Sequence, residues 1–426
     1  MLGAVVDRKT SVDGLLNPDN GNPAFRSLSP ADQGLVRAIV LTTLRRLVLI
    51  ETILDRLLEK PLPDGARALH HSLVTASAQI LFMDIPDRAA VDLAVEQASR
   101  DPRSRRFANL TNAILRRMGR EKEALLSDVE GGADNAPAWF AERLRAVYGA
   151  EQARAILAMH ALEPSLDLTV KDDPQHWADK LGGKVMPTGS VRLLSSDTAV
   201  PDLPGYDEGA WWVQDAAASL PARLLGDIAG KRVADLCAAP GGKTAQLIAQ
   251  GARVTAFDLS ESRLKRLSVN LARLGYEADL VAGDFQKVAE ERAYDAVLLD
   301  APCSSTGTVR RHPDVPWTKG PEDIAKLAAL QESMLRKAVS LVRPGGRIVF
   351  SNCSLDPLEG EAVVSRVLND MPVGRVPIDR ADLPGLEELV NADGDLRSTP
   401  AMLADPEAPR LGGLDGFYAV VLERDG

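Results

Sequence analysis

Apolar residues recur at three-to-four spacing through much of the first 125 positions. The stretch "SPADQGLVRAIVLTTLRRLVLIETILDRLL" (29–58) follows this period and opens on Ser29-Pro30, a pair suited to a helix start. "ARALHHSLVTASAQILFM" (66–83) and "DRAAVDLAVEQAS" (87–99) repeat it. "RRFANLTNAILRRMG" (105–119) repeats it again and ends on Gly119, a helix stop. Amphipathic helices joined by short polar turns predict a bundle. Residues 121–140, "EKEALLSDVEGGADNAPAWF", hold a Gly/Asp/Asn/Pro cluster that reads as a linker. Two further helices, "PAWFAERLRAVYG" and "EQARAILAMHAL", then lead to the short strands "LDLTV", "GKVMP" and "GSVRLL", which suggest a small α+β subdomain.

From about residue 230 the period changes to strand–helix alternation. "RVADLCA", "RVTAFDLS", "ADLVAGD", "YDAVLLDAP" and "GRIVFSNC" read as strands, separated by helices such as "KTAQLIAQ" and "SESRLKRLSVNLARL". Apolar strands with amphipathic crossovers predict a doubly wound parallel sheet, in which ligands bind at the C-terminal strand ends. The expected division is a helical domain over 1–130, the small α+β subdomain over 135–225 and the α/β domain over 226–426.

Composition narrows the picture. No window reaches the apolar length of a membrane span, and the N-terminus lacks a hydrophobic leader core. Three cysteines without CxxC spacing, beside five histidines, argue against a disulfide framework or a metal site and point to a reducing cytoplasm. The formal charge of −10 is unevenly spread. Residues 1–150 hold 20 Lys+Arg against 19 Asp+Glu, whereas 356–426 hold 6 against 15. Between Arg100 and Arg120 seven arginines face one acid, Asp101, and such a patch, including Arg103, Arg105 and Arg106, can hold phosphates on an acidic protein. Nothing in the pattern demands a dimer, so a monomer is expected.

"DLCAAPGGKT" (235–244) is a strand, a glycine turn and a helix start. A phosphate-binding GxxxxGK[ST] loop would need glycine where Cys237 stands. Gly241 and Gly242 instead let a ligand approach the backbone. Asp258 ends the second strand, where an acid can accept from a ribose diol; Asp284 ends the third, beside an adenine edge; Asp300 ends the fourth. Any one of these acids could simply cap the helix that follows it. The ordered set suits an adenosine ligand, and without GxGxxG it fits S-adenosylmethionine better than a nicotinamide cofactor.

A free cysteine is ordinarily a small buried hydrophobe, and Cys237 reads that way, with its backbone lining the cofactor site. Cys303 and Cys353 follow strands and sit among Ser, Thr, Asn and Pro. Two thiols beside a methyl donor suit pyrimidine chemistry: a thiolate adding at carbon 6 makes carbon 5 nucleophilic toward the methyl group.

"DLCAAPGGKT", "DAPCSSTGTVRRHPD" (300–314) and "SNCS" (351–354), in this order and spacing, closely resemble the RNA 5-methylcytosine methyltransferases of the Nop/Sun family. "WWVQDAAASLPARLL" and "GGLDGFYAVVLER" resemble the segments that open and close the family's catalytic domain over about 205–426, and the helical N-terminus resembles the RNA-binding NusB domain. The combination is similar to bacterial enzymes that methylate cytosine in small-subunit rRNA. The resemblance implies an all-α NusB-like bundle joined to an α/β Rossmann-like class I methyltransferase domain. It implies Cys353 as nucleophile, Cys303 as the cysteine assisting release, and Asp300 as the acid contacting the cytosine ring. The cofactor set it implies is Cys237, Ala238, Ala239, Pro240, Gly241, Gly242, Lys243, Asp258, Asp284 and Asp300. Arg310 and Arg311, in "RRHPD", would contact phosphates. The family more often has Thr where Asn352 precedes the nucleophile here.

Two other classes are weighed. A DNA cytosine methyltransferase would use Cys303 as nucleophile, but its "PCQ" and "ENV" motifs are absent. A non-enzymatic RNA-binding factor would need only the bundle, yet the glycines, acids and both thiols are intact. RNA rather than DNA is therefore the expected partner.

Overall fold

In the computed structural model, which describes residues 1–17, 19–129, 134–195, 198–288 and 292–426, Ser29 caps the helix Pro30–Arg45 as its position suggests. Its hydroxyl accepts from the Asp32 amide at 3.2 Å. The chain divides into two units: Met1–Leu162 with Val309–Gly320, and Glu163–Thr308 with Pro321–Gly426.

The first unit is helical. Around the central helix Arg67–Phe82 pack the helices Leu47–Leu57, Asp87–Arg100 and Ala108–Arg120. Leu47–Leu57 buries Ile50, Ile53, Leu54 and Leu57, one face at helical spacing. Each fully buried aliphatic side chain contributes roughly 1.5–3 kcal/mol. Two expectations are corrected. Gly119 does not stop its helix, which runs on to Arg120. Part of the expected linker is the helix Lys122–Val129, because "KEALLSDV" contains no breaker and buries Leu125 and Val129 against the bundle; residues 130–133 of that stretch lie outside the described residues. The two helices expected from residue 137 onward are Ala138–His160, interrupted at Gly149, whose φ of 78° is left-handed.

Residues 309–320 return to this helical unit after the Cys303 loop. Asp314 accepts from the Val12 amide at 2.9 Å, Trp139 donates to the Pro316 carbonyl at 3.0 Å, and Trp317 packs on the core. His312 and Asp13 are 3.3 Å apart. Burial opposes protonation of His312, but the hydrogen bond to Asp13 and its charge outweigh burial, so the imidazole pKa is raised. A raised pKa stabilises the fold below the unfolded value, and that stabilisation disappears as pH rises through the folded one. Both side chains are partly exposed, so Asp13→Asn is expected to cost at most about 1 kcal/mol. That loss is expected in urea unfolding at pH 6 and not at pH 8.5. Equal losses at both pH values would mean that the pair's charge contributes nothing.

The second unit holds two sheets. The smaller is antiparallel, ordered β2-β3-β1-β4: β1 (Asp167–Val170), β2 (Gly183–Val185), β3 (Val191–Leu193) and β4 (Trp211–Val213). The larger contains β5 (Arg232–Leu236), β6 (Arg253–Asp258), β7 (Asp279–Ala282), β8 (Tyr294–Asp300), β9 (Val342–Asn352), β10 (Val373–Val376), β11 (Leu396–Ser398) and β12 (Phe417–Arg424). Its order is β10-β12-β9-β8-β5-β6-β7, with β11 pairing β12. The expectation of a parallel sheet is corrected to a mixed one. The five strands β9-β8-β5-β6-β7 are parallel, and β12 adds antiparallel to β9. The chain runs outward from β5 to β7, then returns to β8 on the other side of β5. That reversal opens the crevice in which such sheets bind ligands. Among the described residues no helix is long and apolar enough to cross a membrane.

Candidate active site

β5, β6, β7, β8 and β9 run parallel, so their C-terminal ends share one edge. There the backbone delivers Cys237, Asp258, Asp284, Asp300 and Cys353. After β5, Cys237 takes a left-handed φ of 66° and Gly241 one of 106°. A Cβ on Gly241 would stand 2.9 Å from Leu267 Cγ, so the turn needs glycine there. Burial pushes the Cys237 thiol up to about 12, keeping it protonated.

The acids are held differently. Asp258 is buried; its Oδ2 accepts from the Ala239 amide at 3.2 Å and its Oδ1 from the Ser260 amide at 2.9 Å. It thereby ties the glycine turn to the end of β6. Asp284 caps a short turn, accepting from the Gln286 amide at 3.0 Å. Asp300 Oδ2 pairs with Lys243 Nζ at 2.7 Å, and its Oδ1 accepts from Ser351 at 2.9 Å. Lys243 therefore reaches from the glycine turn to the end of β8, with Phe417 flanking its ammonium at 4.9 Å. Below them Asp235 is buried; its Oδ2 accepts from Thr244 at 2.6 Å while its Oδ1 has no protein partner. Burial lifts that carboxyl to about 7. An acid-lined strand edge behind a glycine turn fits an adenosine ligand with a sulfonium tail.

The Sγ atoms of Cys303 and Cys353 are 3.4 Å apart, close enough for one to donate to the other. The surroundings of the two sulfurs differ. The Ser305 hydroxyl lies 3.6 Å from Cys353 Sγ and 3.9 Å from Cys303 Sγ, and the Glu359 charge acts against ionisation of Cys303. Hydrogen bonding from Cys303, helped by Ser305, lowers the Cys353 pKa, against burial and the charges of Asp300 and Asp415. The same hydrogen bond, then burial, raises that of Cys303. These opposite shifts favour the thiolate at Cys353 and the S–H at Cys303.

Several supporting residues escaped the sequence reading. Glu359, fully buried, accepts from the Ser304 amide at 2.8 Å and from the Ser304, Ser354 and Gln331 side chains. Ser305 has a left-handed φ of 59°, unusual for a residue with a Cβ and characteristic of functional turns. Gly307 lies against the closing segment: its amide donates to the Cys353 carbonyl at 2.9 Å and its carbonyl accepts from Gly416 at 2.9 Å. A Cβ on Gly307 would fall 2.0 Å from the Gly416 oxygen. Asn352, in place of threonine, donates to the Glu359 carbonyl at 2.6 Å and accepts from the Ser354 amide at 2.9 Å.

In the helical unit Arg103, Arg105 and Arg106 are exposed. Two members of the arginine cluster are engaged by acids just outside the 100–120 segment: Arg100 with Glu96 at 2.6 Å and Arg117 with Glu121 at 3.0 Å. Arg310 requires a correction. It is 1% exposed, and its carbonyl accepts from Arg45, so a phosphate contact is closed to Arg310, whereas Arg311 is exposed.

Residues 222–419 match the family described as 16S rRNA methyltransferase RsmB/F, and residues 3–120 match the NusB family. The ribosomal RNA small subunit methyltransferase B of Vibrio cholerae is 33% identical over 420 residues, covering 94% of this chain and 92% of that protein. The protein of the same name from Serratia proteamaculans is 34% identical, covering 92% of this chain and 94% of its own length. Among solved structures, PH0851 superposes over 100% of this chain with a TM-score of 0.71 at 20% identity, a likeness of fold. A methyltransferase homologue from Pyrococcus horikoshii covers 69% of this chain, with a TM-score of 0.55 and 26% identity. The residues of the sheet edge and the span of these matches agree: the chain belongs to the RsmB/F family of S-adenosylmethionine-dependent 16S rRNA methyltransferases.

Proposed function

We propose that the chain methylates carbon 5 of a cytosine in small-subunit rRNA through a covalent bond between Cys353 and carbon 6. The observation that carries this reading is the pair of sulfur atoms 3.4 Å apart at the cofactor edge. S-adenosylmethionine, when bound, supplies an electrophilic methyl group. Residues 237–243, Asp258, Asp284 and Asp300 would hold it. Cys353 adds to carbon 6 as a thiolate, leaving the ring electron-rich at carbon 5. After methylation a base takes the carbon-5 proton, and the electron pair of that C–H bond expels Cys353, again as a thiolate. The Cys303 S–H then stands ready to hydrogen-bond the departing sulfur, which is how it assists release. Asp300, fixed by Lys243 and Ser351, is the group offered to the cytosine ring.

The test is transfer of labelled methyl from S-adenosylmethionine to RNA and to DNA of the same sequence. Label is expected in RNA alone. Label in DNA would favour the DNA-type enzyme, and no label in either would favour a binding factor.

Arg103, Arg105 and Arg106 are proposed as phosphate contacts of the helical unit. Changing all three to Glu is expected to weaken RNA binding. The slope of log affinity against log salt is expected to fall by about 2, at about 0.7 for each single-strand phosphate no longer neutralised. Cofactor affinity is expected to stay. An unchanged slope would make the cluster a solvated helix face.

A further inference from the structure

Glu359 stands out because it is a carboxylate with no exposure and four donors. The Ser304 amide reaches Oε1 at 2.8 Å and Gln331 Nε2 reaches the same atom at 3.1 Å, while the Ser304 and Ser354 hydroxyls both reach Oε2. Ser304 follows Cys303 and Ser354 follows Cys353, so one carboxylate binds the residue after each thiol. Gln331 also donates to the Pro302 carbonyl at 2.9 Å, bracing the other side of Cys303. The surrounding hydroxyls have consistent directions. Ser354 Oγ accepts from the Asp356 amide, which leaves its own proton for Glu359, and Thr306 Oγ1 accepts from the Leu355 amide, which leaves its proton for a serine. Burial raises the Glu359 pKa, and the hydrogen bonds from Ser304 and Ser354 oppose it; four donors are the full complement of an ionised carboxylate.

Resting on the proposed cysteine chemistry, we propose that Glu359 is a positioning residue: it clamps the Cys303 loop to the Cys353 loop and, through its negative charge, assigns Cys303 as hydrogen-bond donor and Cys353 as nucleophile. A neutral side chain of the same shape would keep the size of the clamp but not the charge. Cys303 would then share the ionisation that Cys353 otherwise holds alone. The lowered pKa of Cys353 and raised pKa of Cys303 agree with this assignment.

The experiment needs no RNA, so it is independent of whether cytosine is the substrate. The reduced full-length protein is treated with iodoacetamide, and the alkylation rates of Cys303 and Cys353 are read separately by peptide mass spectrometry. In the unaltered protein Cys353 is expected to react about tenfold faster or more, because the thiolate is the nucleophile. In Glu359→Gln the ratio is expected to fall toward one, with cofactor affinity and the circular dichroism spectrum unchanged. A ratio that stays the same in folded Glu359→Gln would overturn the proposal and leave Glu359 as a purely structural acid. Should Glu359→Gln not fold, Ser354→Ala and Ser304→Ala provide the reading, since each deletes one donor to the carboxylate. A reduced ratio in either supports the clamp, and an unchanged ratio in both overturns it. Absence of methyl transfer by an unaltered protein that shows the expected alkylation ratio would instead count against the proposed reaction.

Discussion

Cys353→Ala is expected to abolish both methyl transfer and any covalent protein–RNA species, whereas Cys303→Ala is expected to stop turnover while the covalent species accumulates. The opposite signatures follow from the position of one proton. Hydrogen bonding with the Cys303 thiol, 3.4 Å away, and to a lesser degree with Ser305 lowers the Cys353 pKa. A thiol near its ordinary pKa of about 8.5 is only a few per cent ionised at neutral pH, so this stabilisation bears directly on attack. Without Cys353 the proposed nucleophile is missing. Without Cys303 the Ser305 hydroxyl still supports attack, but the departing sulfur loses its nearest donor. On a denaturing gel with RNA and S-adenosylmethionine, Cys303→Ala is expected to give a slowly migrating band and Cys353→Ala none. The reverse pattern would exchange the two roles.

The second large effect concerns the cofactor edge. Asp258→Ala is expected to weaken S-adenosylmethionine binding by roughly ten- to a hundredfold, because losing hydrogen bonds to a charged acceptor costs on the order of 1.5–3 kcal/mol. Asp258 Oδ2 accepts the Ala239 amide and lies 3.5 Å from Arg263, whereas Oδ1 accepts only the Ser260 amide and keeps a lone pair for a ribose hydroxyl. The Ala239 contact adds to the effect, since the same residue fixes the glycine turn. RNA affinity is expected to remain. Calorimetry showing unaltered cofactor affinity would remove Asp258 from the site.

Much of this architecture is legible in local pattern. Ser29-Pro30 starts its helix because capping is a local event. The acids and thiols could be ordered along one edge because parallel strands bring their C-terminal ends together. What escaped depends on tertiary packing. Glu359 lies six residues beyond Cys353 in a stretch that reads as an ordinary polar turn, and only the return of β9 beside β8 places Ser304 upon it. β12 carried no sign of its antiparallel direction, because its apolar run suits a buried strand of either sense. Arg310 looked like part of a basic loop, but residues 309–320 pack into the helical unit. A charge count over residues 100–120 misses Glu96 and Glu121, because pairs four apart on a helix cross the ends of that segment.

The central claim is that a cytosine is carried on Cys353. It is tested most directly by isolating the covalent species formed by Cys303→Ala with RNA and S-adenosylmethionine, digesting it with nuclease and protease, and determining the mass of the modified peptide. The expected product is the peptide containing Cys353 joined to a nucleotide of methylated cytosine. The same nucleotide on another residue, a different base on Cys353, or no covalent species would contradict the account.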